Sequence, residues 1–230
     1  MAGIEFIGGE KGGVGKSVLA RVIAQYCIDK GQPLIGFDTD RSHSTFLRFY
    51  GDFASKVVID DFASLDRIAE AITAVPERRV LVDLAAQTMP PLKRWLDDSG
   101  VLPLLAGEHV PVRFWHVMDD GVDSISLLDR LLMSFGGTVS YVVVLNHGRG
   151  SDFAHFHASP TKALAIEHGA KILDLRALHD TSMHKIDKHD ASFWAAINHR
   201  GDDKALGLLE RQRVKMWLSR TYEDLDRILA

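Results

Sequence analysis

Residues 8 to 17 read Gly-Gly-Glu-Lys-Gly-Gly-Val-Gly-Lys-Ser, between an apolar run at Ile4 to Gly8 and a helical pattern at Lys16 to Asp29. The apolar run predicts a strand, and the spacing of the apolar residues that follow the loop predicts a helix. Glycines at such a junction let backbone N–H groups approach an anion without a Cβ in the way, and a helix N-terminus adds positive partial charge. The stretch is therefore predicted to bind phosphate groups.

The positions of this loop have separate predicted roles. Lys16 is predicted to reach the β- and γ-phosphates of a nucleotide, and the Ser17 hydroxyl is predicted to coordinate Mg²⁺. The other nucleotide contacts are assigned to Gly12, Gly13, Val14, Gly15 and Val18. The alternative is a glycine-rich turn before an amphipathic helix, but this explains neither the Lys-Ser pair nor its place between a strand and a helix.

The rest of the chain alternates short apolar runs with helical patterns, which predicts an α/β fold with a mostly parallel sheet and helices on both faces. The further predicted strands are Pro33 to Phe37, Arg79 to Asp83, Val112 to Met118, Val139 to Leu145 and Ala170 to Leu173, with Lys56 to Ile59 as an edge strand. The further predicted helices are Ser64 to Ala74, Pro91 to Asp98, Val122 to Phe135 and Thr161 to Glu167. We find no repeat and no linker, and expect one domain over residues 1–230 with a C-terminal amphipathic helix at about 203–229.

A second lysine, Lys11, stands directly before Gly12, and Glu10 occupies the place where the general pattern G-x-x-x-x-G-K-[ST] begins with glycine. The run from Lys11 to Ser17 resembles the deviant Walker A box, K-G-G-x-G-K-[ST], of the ParA/MinD family in the SIMIBI class of P-loop NTPases. The resemblance is specific over residues 4–20 and continues more weakly to about residue 146.

This resemblance implies a weak, Mg²⁺-dependent ATPase that forms a homodimer around two ATP molecules. In that dimer Lys11 reaches across the interface to the partner's phosphates, where a cation neutralises the charge that develops on the transferred phosphoryl group. The resemblance also implies a protein partner that stimulates hydrolysis.

Three acidic residues and one amide at strand ends match further positions of the family. The resemblance implies that Asp40 positions the attacking water and also belongs to the Mg²⁺ site, that Asp38 supports this site, and that Asp83 binds Mg²⁺ through water. Asn146 matches a residue that contacts adenine. Arg149 stands where GTPases of the wider class carry an acid that binds guanine, so ATP is expected rather than GTP. An Asp-x-Asp at a strand end is also typical of a turn and a helix cap.

Two switch segments depart from the family pattern. Arg41-Ser42-His43-Ser44 follows the first, where the family usually continues with Pro-Gln, and Leu84-Ala85-Ala86-Gln87 forms the second without a proline or glycine. These departures leave the hydrolysis rate open. Asp119-Asp120-Gly121 ends a further strand at the same edge and has the composition of a turn, with a contact to a switch or a partner as the alternative.

Composition excludes several classes of protein. Hydrophobic residues make up 46% and charged residues 25% of the 230 residues, as in soluble globular proteins rather than disordered or fibrous ones. The single cysteine excludes an internal disulfide, and no apolar run approaches the roughly 18 residues of a spanning helix. We therefore expect a cytoplasmic protein without integral membrane association.

The net charge of −4 means that any contact with DNA must be local. The candidate segment is Lys204 to Arg220, which carries five basic residues against Glu210 alone. A solvated outer face is the alternative interpretation of this segment.

Together, the motifs and their order predict a nucleotide-switched dimer that positions or partitions cargo such as plasmid DNA or the conjugation or partition machinery. Within the family they most resemble TraL-type conjugal-transfer ATPases and partition proteins. Two alternatives stay open: an ATP-dependent carboxylate-activating ligase of the dethiobiotin synthetase or cobyrinate type, and a regulatory module that binds ATP and scarcely hydrolyses it.

Overall fold

The computed structural model describes residues 2–201 and 205–229. Within these ranges, seven parallel strands form one sheet in the order β3-β2-β4-β1-β5-β6-β7. The strands are β1 (Ile4–Gly8), β2 (Leu34–Asp38), β3 (Ala54–Lys56), β4 (Arg79–Asp83), β5 (Val112–Met118), β6 (Ser140–Asn146) and β7 (Lys171–Leu175). The predicted α/β class is therefore confirmed.

Helices cover both faces of the sheet. They are α1 (Lys16–Asp29), α2 (Thr45–Phe49), α3 (Phe62–Ala74), α4 (Met89–Asp98), α5 (Val101–Gly107), α6 (Val122–Phe135), α7 (Ala154–His157), α8 (Pro160–Glu167), α9 (Asp180–Lys188), α10 (Phe193–Asn198) and α11 (Leu208–Leu229), with a 3₁₀ turn at Gly136–Thr138. Helices α3 to α8 contribute to one hydrophobic core, and α1, α2 and α9 to α11 contribute to the other. No helix among the described residues is long and apolar enough to cross a membrane.

The central strand β1 lies between β4 and β5, and the chain crosses from one half of the sheet to the other at this point. Strands β1, β2, β4 and β6 all end at the same edge because they are parallel. Open α/β sheets bind ligands at this carboxyl edge, in the crevice where the strand order reverses. The topology therefore brings the loop after β1 together with the ends of the other strands.

The edge strand differs from the predicted one. The strand that pairs with β2 is Ala54–Lys56 rather than Lys56 to Ile59. Val57 still donates its N–H to the carbonyl of Asp38 at 3.0 Å, but the N–H of Val58 turns to the Ser64 hydroxyl at 2.9 Å. The apolar residues Val57 and Ile59 are buried although they lie outside the strand. Their apolar pattern therefore reflects burial and not strand pairing.

The last helix begins at Leu208, whereas the sequence pattern placed its start near residue 203, which lies outside the described residues. Glu210 explains the start, because its Oε2 accepts the N–H of Gly207 at 2.7 Å and caps the helix. The helix packs its buried side chains against α1, α9, α10 and β7. The buried side chains are Val214, Trp217, Leu218, Thr221, Leu225, Ile228 and Leu229. Leu209, an apolar residue in the first turn of this helix, is 66% exposed.

Candidate functional site

The loop between β1 and α1 borders a cavity of about 570 Å³ at the carboxyl edge of the sheet. Gly13 and Gly15 have φ values of 77° and 100°, in the left-handed region that favours glycine. A Cβ at Gly15 would also lie 2.2 Å from Nδ2 of Asn146. A glycine is therefore required at position 15, both because of the backbone conformation there and because Asn146 approaches closely.

Lys16 is buried at the first position of α1, and its side chain folds back over the loop. Its Nζ donates to the carbonyl oxygen of Lys11 at 2.8 Å. Burial lowers the pKa of Lys16, and the carboxylates of Asp83, Glu10 and Asp40 act in the opposite direction. A buried ammonium in a glycine loop is a binding group for an anion, because a phosphate would compensate the cost of burying the charge.

Asp83 ends β4, and burial raises the pKa of its carboxyl to about 7 although the Ser17 hydroxyl donates a hydrogen bond to it. Its Oδ1 is buried and has no hydrogen-bond partner among the described residues. An unsatisfied carboxylate oxygen beside a serine hydroxyl is a donor set that fits hydrated Mg²⁺, which prefers oxygen ligands. Among the described residues, no cluster of three or more histidine, cysteine or acidic side chains could hold a metal ion by itself.

The first switch holds Asp38 and Asp40 differently. Asp38 is buried, and its two oxygens accept the N–H groups of Asp40 and Leu47 at 2.9 and 3.0 Å, so its carboxylate holds the loop in shape. Burial raises the pKa of Asp38. Its predicted support of Mg²⁺ stays a prediction.

Asp40 lines the cavity and is partly exposed. Its Oδ1 accepts the N–H groups of Ser42 and His43 at 2.8 and 3.1 Å. Burial acts to raise the pKa of Asp40, but these N–H groups hold it below its ordinary value. The carboxylate is therefore ionised at neutral pH and able to accept a hydrogen bond from a water. The turn expected as the alternative for Asp-x-Asp is also present, since these contacts form an Asx turn.

Lys11 is held within its own chain. Its Nζ lies 2.8 Å from Oδ2 of Asp119, whose Oδ1 accepts from the Ser124 hydroxyl at 2.6 Å and from the N–H of Gly121 at 3.2 Å. The hydrogen bond with Asp119 raises the pKa of Lys11. The Asp119 turn thus also contacts the phosphate loop.

Asn146 is buried beneath the phosphate loop. Its Nδ2 donates to the carbonyl of Val14 at 2.7 Å, and its Oδ1 accepts the N–H of Gly148 at 3.0 Å. The side chain therefore braces the loop, and its predicted contact with adenine stays a prediction. Arg149 lines the cavity beside it.

Sequence reasoning did not assign two residues that the structure places at this site. Glu10 accepts the N–H of Met89 at 3.0 Å and so connects the phosphate loop to the first residue of α4, just after the second switch. Arg21 is buried 3.6 Å above the ring of Phe49 and pairs with Asp187 at 2.8 Å, at the margin of the cavity. The sequence feature that could have identified Glu10 is the acidic residue at a position where the general pattern has glycine. For Arg21 it is a charged residue on the apolar, buried face of α1.

Known proteins resemble this chain in sequence and in fold. Two proteins named Protein TraL, both from Escherichia coli, are each 27% identical to it over 240 residues, which cover 98% of this chain and 98% of each relative. No family model matches the chain.

Among solved structures, a chain of the MinC:MinD cell division protein complex of Aquifex aeolicus superposes with a TM-score of 0.57 at 15% identity, covering 95% of each chain. The septum site-determining protein MinD of Pyrococcus horikoshii, in complex with Mg-ADP, superposes with a TM-score of 0.53 at 14% identity, covering 100% of this chain and 98% of that one. The chain therefore has the fold of ParA/MinD-type P-loop NTPases, as its deviant Walker A box predicted, and its similarity to TraL proteins fits the predicted branch.

Proposed function

We propose that this chain, which has the fold of ParA/MinD-type P-loop NTPases and resembles TraL proteins along its length, is a Mg²⁺-dependent ATPase whose ATP-bound form is a homodimer. The observation that carries the proposal is one cavity in which a glycine loop, the buried ammonium of Lys16 and the unsatisfied Oδ1 of Asp83 lie together. These groups have the charges that a nucleotide phosphate and its cation require.

Each group has a separate part in binding and hydrolysis. The loop N–H groups and Lys16 hold the phosphates, and Ser17 with Asp83 holds Mg²⁺, which would neutralise charge on the β- and γ-phosphates. Asp40 lines the same cavity with an ionised carboxylate and orients the attacking water. Asn146 is assigned to adenine and Asp38 to the support of the first switch, whose loop it already holds.

Dimerisation completes this site through Lys11. The ammonium that the ATP-bound dimer needs at the partner's phosphates is paired with Asp119 in the single chain, at 2.8 Å. Lys11 must therefore exchange Asp119 for a phosphate when the dimer forms. Because the site is incomplete in the single chain, turnover is slow, and a protein partner that orders the switches accelerates it.

The cargo is plasmid DNA or the conjugation or partition machinery, and the protein acts in the cytoplasm, where ATP is supplied. The similarity to TraL proteins over the length of the chain supports this assignment. So does a basic hollow of about 290 Å³ between α11 and the segment after β7. Arg176, Arg213 and Arg220 line it with His179, and no acidic residue is among its lining residues in the described ranges. Exposed arginines suit the phosphates of a DNA backbone.

The DNA contact is tested by reversing two of these charges. With Arg213→Glu and Arg220→Glu together, we expect affinity for duplex DNA to fall at least about tenfold at low salt and the salt dependence to become shallower. Fluorescence anisotropy over a range of salt concentrations measures both. Lys215→Glu together with Lys162→Glu is the matched control, because it changes the net charge by the same amount and neither lysine lines this hollow, although Lys215 lies on the same helix. Equal losses in the two proteins would show that net charge alone matters, and unchanged affinity in the arginine variant would exclude this surface.

The proposed ATPase activity is tested by single-turnover hydrolysis with Mg²⁺. We expect the wild-type protein to convert bound ATP to ADP and phosphate slowly, and Asp40→Ala to bind ATP normally but lose at least about 100-fold in rate, because the attacking water is no longer oriented. Asp60→Ala is the control, since Asp60 is exposed and pairs with Arg41 of the same switch.

Other results would favour other functions. Equal rates in wild type and Asp40→Ala would indicate a module that binds ATP without catalysing its hydrolysis. Turnover that depends on an added small carboxylic acid would indicate a ligase. Labelled ATP that is displaced better by GTP than by ATP would contradict the assignment of the base.

A further inference from the structure

A second cavity, of about 270 Å³, lies between the phosphate loop and the helices α4 and α6. Its wall includes Phe114, Leu127 and Leu131 and the backbone at Gly8 and Gly9. None of the residues described around it also lines the nucleotide cavity. Because an apolar cavity of about 150 Å³ already holds benzene, this one has room for a benzene ring with a short polar chain.

His116 lines this cavity and has one ring nitrogen that can accept a hydrogen bond. The ring is 3% exposed, and its Nε2 lies 3.0 Å from the carbonyl oxygen of Ser124, which can only accept a hydrogen bond. The proton therefore resides on Nε2. Burial lowers the pKa of His116 to about 4, so the imidazole is neutral at physiological pH and Nδ1 is an acceptor. No hydrogen bond within the described ranges engages Nδ1.

Glu10 supplies a second acceptor. It lines the cavity, and only its Oε1 is occupied, by the N–H of Met89. Its Oε2 makes no hydrogen bond within the described part of the chain. The Lys16 ammonium of the nucleotide cavity attracts the Glu10 carboxylate, but its Nζ donates to the carbonyl of Lys11 and forms no ion pair with Glu10 among the described residues. Two further cations line the cavity itself. Lys93 is paired with Asp97 at 2.6 Å, and Arg130 is exposed at the rim, where water screens its charge.

We propose that this cavity binds a small aromatic amine, with the ring against the apolar wall and the ammonium group between Glu10 and His116. An ammonium group has donors only, and it matches a carboxylate oxygen and a neutral imidazole nitrogen that both accept. A carboxylic acid of the same shape would place its charge against Glu10 and is excluded. The ligand contacts the residue that joins the phosphate loop to α4, and binding needs no nucleotide.

Calorimetric titration of the nucleotide-free protein with phenethylamine tests the proposal, with phenethyl alcohol and hydrocinnamate as matched neutral and anionic compounds. We expect the amine to bind at least about tenfold more tightly than the alcohol, and the acid not to bind, because only the amine forms a charge-assisted hydrogen bond with Glu10. Glu10→Gln keeps an oxygen for the N–H of Met89 and is expected to remove the advantage of the amine over the alcohol. Leu127→Trp, which fills the cavity, is expected to abolish binding of both.

The matched control is Glu70→Gln, which removes an exposed carboxylate on α3 outside the cavity and should leave amine binding unchanged. The proposal is overturned if the wild-type protein does not bind the amine, if the alcohol or the acid binds as tightly as the amine, or if Glu10→Gln retains the preference. If Leu127→Trp does not fold, the binding data for Glu10→Gln alone test the proposal, because glutamine has nearly the same shape as glutamate and this variant is expected to fold. All of these outcomes are independent of ATP binding, so they do not depend on the proposed ATPase activity.

Discussion

Lys11→Ala is expected to abolish ATP-dependent dimerisation while the affinity of the single chain for ATP stays within about twofold of wild type. The alanine variant keeps Lys16, Ser17 and the glycines that bind ATP within one chain, but it has no ammonium to offer to the partner's phosphates. The two γ-phosphates then face each other across the interface without the cations that compensate their charge. Light scattering with a non-hydrolysable ATP analogue and Mg²⁺ measures the dimer, and nucleotide titration measures the affinity.

Asp119→Asn is expected to act in the opposite direction. In the single chain Asp119 holds Lys11 at 2.8 Å, and this partly exposed ion pair must break before Lys11 can reach a partner. Removing the charge while keeping the shape should strengthen the ATP-dependent dimer by roughly two- to fivefold for each of the two ion pairs that must break, the scale of a surface ion pair.

The two variants are expected to change ATP-dependent dimerisation in opposite directions. A general loss of structure would weaken the dimer in both, so the comparison tests a specific role of Lys11. Lys162→Ala on α8 is the control for loss of a lysine away from the loop, and should dimerise as wild type. A Lys11→Ala protein that still dimerises with ATP would contradict the proposed reach of Lys11 across the interface. A weaker dimer in Asp119→Asn would show that Asp119 supports the interface instead of competing with it.

Asp83→Asn is expected to remove most of the effect of Mg²⁺ on ATP binding. In wild type, affinity for ATP should rise when Mg²⁺ is added, because in the proposed site Asp83 and Ser17 would hold the hydrated cation beside the phosphates. Loss of a carboxylate that acts on the metal through water should lower metal affinity by about 10- to 100-fold. Titrations of ATP with Mg²⁺ and with a chelator measure this difference.

The melting temperature of Asp83→Asn is not expected to fall together with its Mg²⁺ dependence. The buried Asp83 carboxylate has an unsatisfied oxygen and a pKa raised to about 7, so its ionised form is costly to bury. Asparagine removes this charge, and we expect the melting temperature to stay the same or rise while Mg²⁺ dependence is lost. Asp98→Asn on α4, which removes an exposed carboxylate, should leave the Mg²⁺ effect intact. A full Mg²⁺ effect in Asp83→Asn would show that the cation is held elsewhere.

Local patterns predicted most of the architecture. The bounds of β1, α1, β4, β5 and α6 agree with the predicted ones, because each element has a long apolar or periodic pattern and a clear glycine or acidic boundary. Five helices have no counterpart among the predictions, namely α2, α5, α7, α9 and α10. They contain between four and nine residues, a length over which helical periodicity is a weak signal.

The amino-acid sequence by itself determined the phosphate loop, since the conformations of Gly13 and Gly15 and the position of Lys16 at the start of α1 depend on neighbouring residues. The tertiary structure alone decided which distant side chains contact that loop. Asn146 braces Val14 from 132 residues away, Glu10 caps a helix 79 residues away, and Asp119 holds Lys11. The physical reason is that parallel strands bring their carboxyl ends to one edge of the sheet, and the pairs that form there depend on packing between elements that no local pattern describes.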